Sequence, residues 1–244
     1  MIRRIICALY CVILLCSFSG AALGQEVEIY IPSQHTAAPE SEETNNILAR
    51  CLATGLKEYC VGISFGENGA TFESNGISEI TLETFVIDLS DESETTKPKV
   101  TVKNDEDGDT GQNTSSTDVK SAGIEIEFDF NSHKLRADQL DKVSVIAAAF
   151  ADDINAGKLY AIVGHTDGKG SDTYNCKLSA KRAATITSAL LVGGAKAYLQ
   201  PIGVGEVLLK DAANPANAQN RRVSFLKLDD NAETVINAFK ALCD

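Results

Sequence analysis

From residue 123 onward the chain switches between two hydrophobic periods. Ile124-Glu-Ile-Glu-Phe-Asp-Phe130 sets apolar against acidic side chains at every second position, which predicts a strand with one buried face. Leu140, Val143, Ala147, Phe150 and Ile154 fall on one stripe at helical spacing and predict a helix over 136–154. Leu159-Tyr-Ala-Ile-Val163 reads as a second strand. Residues 172–191 read as a second helix with apolar Leu178, Ile186, Ala189 and Leu190, ended by Gly193-Gly194. Residues 197–204 and 222–228 give two more strands, and 231–242 a terminal helix docking through Val235, Ile236 and Phe239. A β-α-β-α-β-β order implies an α+β fold, a mixed sheet with helices packed on one face.

The first half is patterned differently. Residues 25–44 are polar, with Pro32, Pro39 and the run Glu40-Ser-Glu-Glu43, and read as an exposed leader. Residues 45–89 read as a small helix-plus-strand unit. Ile47, Leu48, Cys51, Leu52 and Leu56 recur at helical spacing, with Thr44 or Asn45 as the cap, and 79–89 alternate like a strand. Residues 90–118 hold almost no large apolar side chains and read as a disordered acidic linker. Within it, Asp105-Glu-Asp-Gly-Asp109 resembles the start of a calcium loop. Thr110 stands where glycine is needed and no closing glutamate follows, so a solvated tether is the better reading.

The two ends add context. Arg3-Arg4, the apolar run Ile5–Phe18 and the small-residue site Ala22-Leu23-Gly24 have the layout of a cleaved signal peptide over residues 1–24. An uncleaved anchor helix is the alternative, although the run is short for a span. Cys7, Cys11 and Cys16 lack the preceding tripeptide of a lipid-anchored protein. Export makes disulfides among Cys51, Cys60, Cys176 and Cys243 reasonable, with Cys51–Cys60 the closest pair in sequence. No Cys or His spacing suggests zinc. Residues 25–118 carry 19 acidic against 5 basic side chains, whereas 119–244 carry 15 of each. A basic footprint for nucleic acid is therefore absent.

The chemistry collects after the second strand. Gly164-His-Thr-Asp167 leads through Gly168-Lys-Gly-Ser171 into the second helix, a common position for a ligand site. On that helix Asn175, Leu178 and Arg182 stand at i, i+3 and i+7, on one face. With Asp167 folded back, an anion and a guanidinium would flank one cleft. Such a pair suits a zwitterion, Arg182 taking a carboxylate and Asp167 an ammonium. On spacing alone, a plain salt bridge between loop and helix is the commoner alternative. His165 has no second His or carboxylate at metal spacing and reads as a structural histidine.

These residues resemble a known family. Gly164-His-Thr-Asp-Gly-Lys-Gly-Ser-Asp-Thr-Tyr-Asn175 with Leu178-Ser-Ala-Lys-Arg-Ala183 is similar to the signature of the OmpA-like peptidoglycan-binding domain. Phe128-Asp-Phe-Asn-Ser132, Gly203-Val-Gly-Glu206 and Asn220-Arg-Arg-Val223 resemble other parts of it in order, so the resemblance covers residues 119–228 and leaves 229–244 as a C-terminal helix. It implies non-covalent binding of the meso-diaminopimelate residue of the peptidoglycan stem peptide. Asp167 would take the ammonium and Arg182 the carboxylate. Asn175 and Leu178 would line the helix side, Asp129, Asn131 and Thr166 the strand side, and Arg221 the far edge.

The expected function is therefore a periplasmic, peptidoglycan-associated wall tether, with the outer membrane as one placement, and with no enzymatic activity, cofactor or metal. Two alternatives stand beside it. Residues 45–89 would bind another envelope protein while the domain anchors the pair, or the chain would cleave the wall. Cleavage needs a carboxylate pair, a Cys–His pair or a zinc set, and Cys176 has no histidine near it in sequence.

Overall fold

The computed structural model describes residues 46–66, 69–72, 80–88, 99–104, 116–129 and 131–244. The signal segment 1–24, the leader 25–44 with His35, the run 105–109 and Phe130 lie outside the described residues.

Local chemistry starts the fold at Asn46. Its side chain accepts a hydrogen bond from the Ala49 amide at 3.0 Å and caps α1, Ile47–Thr54. A second short helix follows, α2, Lys57–Cys60. The Cys51–Cys60 disulfide ties the two helices, with the Cα atoms 4.9 Å apart. The strands β1, Ile63–Gly66, and β2, Gly69–Phe72, form a separate antiparallel pair.

The main sheet has six strands. In chain order these are β3, Ile80–Asp88; β4, Lys99–Asn104; β5, Ser116–Ile124; β6, Leu159–Gly164; β7, Tyr198–Gly203; and β8, Val223–Leu228. Their order across the sheet is β4-β3-β5-β8-β6-β7, with β6 and β7 parallel and every other pair antiparallel. The helices are α3, Leu140–Ala151; α4, Asp172–Val192; and α5, Ala232–Ala241.

Strand alternation divides the core in two. Ile80, Ala122, Ile124, Tyr160, Ile162, Val223 and Phe225 face α1, α3 and α4 and form one apolar cluster with Leu48, Ile146, Phe150, Ile186 and Leu190. The intervening side chains face the other way. Phe85 meets Phe239 of α5 edge to face, with centroids 5.2 Å apart. Helices on one face thus describes α3 and α4, while the C-terminal helix covers the opposite face.

The first half differs from its expected organisation. Strand β3 is a member of the main sheet rather than part of a detached unit. Two stretches of the expected linker, Lys99–Asn104 and the start of Ser116–Ile124, are strands. Window composition conceals them, because Val100 is buried while Lys99, Thr101 and Lys103 face water. The lysines also suit β4 to an edge position. The strand expected over 124–130 lies earlier. Between Ile124 and α3 the described residues make the isolated bridge Phe128–Leu135 and no named strand.

Helix α1 rests on the rest of the chain through buried polar contacts. Asn155 Nδ2 donates to Ala49 O at 3.3 Å, and Tyr160 Oη donates to Leu52 O at 3.3 Å and to Asn155 Oδ1 at 2.5 Å. A second disulfide, Cys176–Cys243, joins α4 to the chain end beyond α5. Both cysteine pairs open to the sequence are therefore formed.

Candidate ligand-binding cleft

Two close approaches set α4 against the ends of β6 and β7. A Cβ on Gly164 would lie 2.3 Å from the Ser179 carbonyl oxygen, and one on Gly203 2.2 Å from the Ala180 nitrogen. Only hydrogen fits there, so both glycines are steric requirements of the site. The helix begins at Ser171, whose hydroxyl accepts from the Tyr174 amide at 3.3 Å.

A cleft of about 270 Å³ opens where these strand ends, the N-terminal half of α4 and the turn at 129–132 meet. Phe128, Asp129, Asn131, Thr166, Asp167, Lys169, Tyr174, Asn175, Leu178, Arg182 and Arg221 line it. All eight residues singled out from the sequence are brought together here. Phe128, Lys169 and Tyr174 were not singled out as site residues, although all three lay inside the quoted motifs.

Arg182 is 5% exposed. Its Nε donates to Ser132 O at 3.1 Å, and its guanidinium carbon stands 4.9 Å from the Phe128 ring centroid. Burial lowers its pKa, and the nearby Arg221 adds to that, but a guanidinium stays charged. No described residue bonds its Nη nitrogens, which leaves the fork for a ligand acceptor.

Asp167 does not touch Arg182. Its Oδ2 accepts from Arg221 Nη1 at 2.9 Å and its Oδ1 from the Lys169 amide at 3.2 Å. The cleft thus places one carboxylate between two arginines, bonded to one of them. Thr166 is held by its amide on Gly205 O at 2.9 Å, and its buried Oγ1 has no hydrogen-bond partner among the described residues. Asn175 is buried. Its Nδ2 donates to Lys169 O at 3.0 Å and Asp167 O at 3.4 Å, so it holds the loop that carries the anion.

The opposite lip is the turn after Phe128. Ser132 N donates to Asp129 O at 3.1 Å, and Asn131 adopts φ of 54°, a left-handed conformation that asparagine tolerates better than most residues. Tyr174 Oη donates to Asn131 Oδ1 at 2.5 Å and fixes the turn to α4. Asp129 is exposed at the rim and Leu178 half-buried.

His165 lies behind this wall. It is buried, stacks on Phe85 with centroids 6.1 Å apart, and its Nε2 is 3.1 Å from Ser224 Oγ. Burial pushes its pKa well below the usual imidazole value, and Arg222 adds to the shift. It faces the core rather than the cleft. A larger hollow of about 460 Å³ lies between α1 and the start of α5 and is lined by Asp118, Lys120, Lys227, Asp229 and Asp230, but none of the residues singled out from the sequence as site residues lies in it.

Residues 127–222, which supply all of the cleft's lining, match the model of the OmpA family. The chain is 33% identical over 106 residues to the putative lipoprotein YfiB of Escherichia coli (strain K12), a match covering 41% of this chain. It spans 64% of the length of that curated relative. Among solved structures it is similar to the peptidoglycan-associated lipoprotein from Burkholderia pseudomallei, with 28% identity and a TM-score of 0.34 over 42% of this chain and 88% of that one. It is also similar to the cell wall anchor of the T6SS from Pseudomonas aeruginosa, with 21% identity and a TM-score of 0.35 over 46% and 82%.

Proposed function

We propose that the protein binds diaminopimelate-type peptidoglycan non-covalently and is held at the cell wall by that contact. The carrying observation is the presence in one small cleft of a partly exposed Asp167 carboxylate and the Arg182 guanidinium, whose Nη nitrogens have no partner among the described residues. A free amino-acid end presents an ammonium and a carboxylate on one carbon. The first replaces Arg221 at Asp167, and the second takes two parallel bonds from Arg182. Thr166 Oγ1, buried without a partner, offers a further bond to the same end. Membership of residues 127–222 in the OmpA family supports the same reading.

The proposed role is attachment, not catalysis. The lining offers charge complementarity and an apolar floor of Phe128 and Leu178. In this reading the chain works outside the cytoplasm, against the wall.

Co-sedimentation with purified diaminopimelate-type peptidoglycan tests the proposal. Wild type should pellet with the wall, and Asp167→Ala and Arg182→Ala, each checked for folding, should stay in solution. The expected loss is about 2–3 kcal/mol, on the order of 30- to 150-fold in affinity. Equal pelleting of all three would move attachment elsewhere on the chain, and failure of wild type to pellet would end the wall-binding reading.

A further inference from the structure

The OmpA family match begins at residue 127, yet a residue well before it sits directly behind the cleft. Glu83 is on β3, and its side chain is fully buried. Its Oε1 lies 2.7 Å from Arg222 Nε, and its Oε2 accepts from Arg222 Nη2 at 3.0 Å and from Ser224 Oγ at 3.3 Å. Ser224 Oγ is in turn 3.1 Å from His165 Nε2.

The two ends of this chain of contacts are informative. His165 immediately precedes Thr166 and Asp167, and Arg222 immediately follows Arg221. The backbone bond from His165 N to Arg222 O, 3.0 Å, joins the same two residues. Arg222 Nη1 also donates to Leu208 O at 3.3 Å, which engages the loop whose Gly205 carbonyl accepts from Thr166 N. Two segments that line the cleft, at Thr166 and Arg221, are therefore anchored one residue away on a single carboxylate, and Arg222 also holds the loop that carries Gly205 and Leu208.

We infer that Glu83 is a positioning residue for the cleft, supplied by this chain's own N-terminal extension. It sets the spacing of Asp167 and Arg221 without touching the ligand. A purely stabilising purpose explains the arrangement poorly, because a buried ion pair is commonly matched or exceeded in stability by apolar side chains of similar size. What the pair does supply is one fixed geometry, a hydrogen bond from Nη2 to Oε2 beside a short ion contact between Nε and Oε1, whose atoms have no hydrogen-bond partner among the described residues. Neighbouring residues share a backbone, so fixing Arg222 and His165 inward fixes Arg221 and Thr166 toward the cleft. What is positioned rests on the wall-binding reading, whereas the existence of the positioning does not.

The test uses the full disulfide-bonded chain and the double variant Glu83→Met/Arg222→Met, which removes both charges together and leaves neither orphaned. Amide hydrogen exchange is followed at 165–169 and 220–222 without ligand. Calorimetry with a soluble diaminopimelate-containing muropeptide gives the affinity. The expected result is a melting temperature close to wild type, exchange in both loops faster by about tenfold, and muropeptide binding weaker by about tenfold. Unchanged loop protection, or unchanged affinity where wild type binds, would overturn the inference. If wild type does not bind muropeptide, the wall reading fails while hydrogen exchange still decides the role of Glu83. Should the double variant not fold, Ser224→Ala cuts the route from Glu83 to His165 and keeps the ion pair. Faster exchange at 165–169 alone is then expected, and wild-type exchange there refutes the proposal.

Discussion

Arg221 keeps 36% of its side chain exposed and pairs with Asp167 at 14%, whereas its neighbour Arg222 keeps 3% and pairs with Glu83 at 0%. The hydrogen bonds are nearly equal in length, 2.9 and 3.0 Å, so bond length does not distinguish the pairs. Water does. A partly exposed pair is worth about 0–1 kcal/mol and opens readily to a competing ion. A pair sealed in the core can lose neither partner cheaply, because the remaining charge has nowhere to be solvated. The same two residue types thus serve as an exchangeable ligand contact on one side of the backbone and as a fixed strut on the other.

Substitution can break this contrast. The largest effect is expected from Glu83→Ala, which strands Arg222 in the core and should cost about 3–5 kcal/mol in denaturant unfolding. Asp167→Ala should show the reverse profile, with stability changed by under about 1 kcal/mol while peptidoglycan co-sedimentation is lost. Comparable destabilisation by both would erase the distinction drawn from burial.

A pH experiment examines the residue that links the two pairs. His165 has a folded-state pKa depressed by burial, so the unfolded chain takes up its proton first. Its contribution is fully present above about pH 6.5 and is lost as pH falls from there toward the folded value. Stability should decline by up to about 1.4 kcal/mol per pH unit in that window, and His165→Gln should flatten the slope. A wild-type curve with no slope between pH 6.5 and 5 would mean that His165 is not buried neutral. Ser224→Ala should also have a small effect on stability, about 1 kcal/mol for one buried hydroxyl. The exchange of residues 165–169 reports it better than melting does.

The two halves of the chain differed in how far they could be read. The second half announced itself, because α3, α4, β6, β7 and β8 each carry a run or stripe of apolar residues long enough to read from spacing alone. The eight cleft residues also lay within recognisable motifs, and the fold brings them together. In the first half, β4 and the start of β5 were hidden by averaging. An edge strand that buries one side chain in two, flanked by acidic and polar residues, has the composition of a linker. The register that pairs Phe85 with Val119 and Ile87 with Val100 is a property of the sheet, not of either segment. Phe128 and Tyr174 escaped notice for a related reason, since their roles are contacts with Arg182 and Asn131 across large sequence separations.

The sequence by itself determined the periodic elements of residues 136–228, the family to which that region belongs, and the charges gathered at the start of α4. These are local quantities, written in spacing and residue type. Tertiary structure alone decided which arginine Asp167 binds, that Glu83 of the first half lies behind the cleft of the second, and that adjacent arginines lead opposite lives. Those outcomes depend on burial and on contacts across 54 and 139 residues of chain, and desolvation is a property of the packed molecule that no single segment carries.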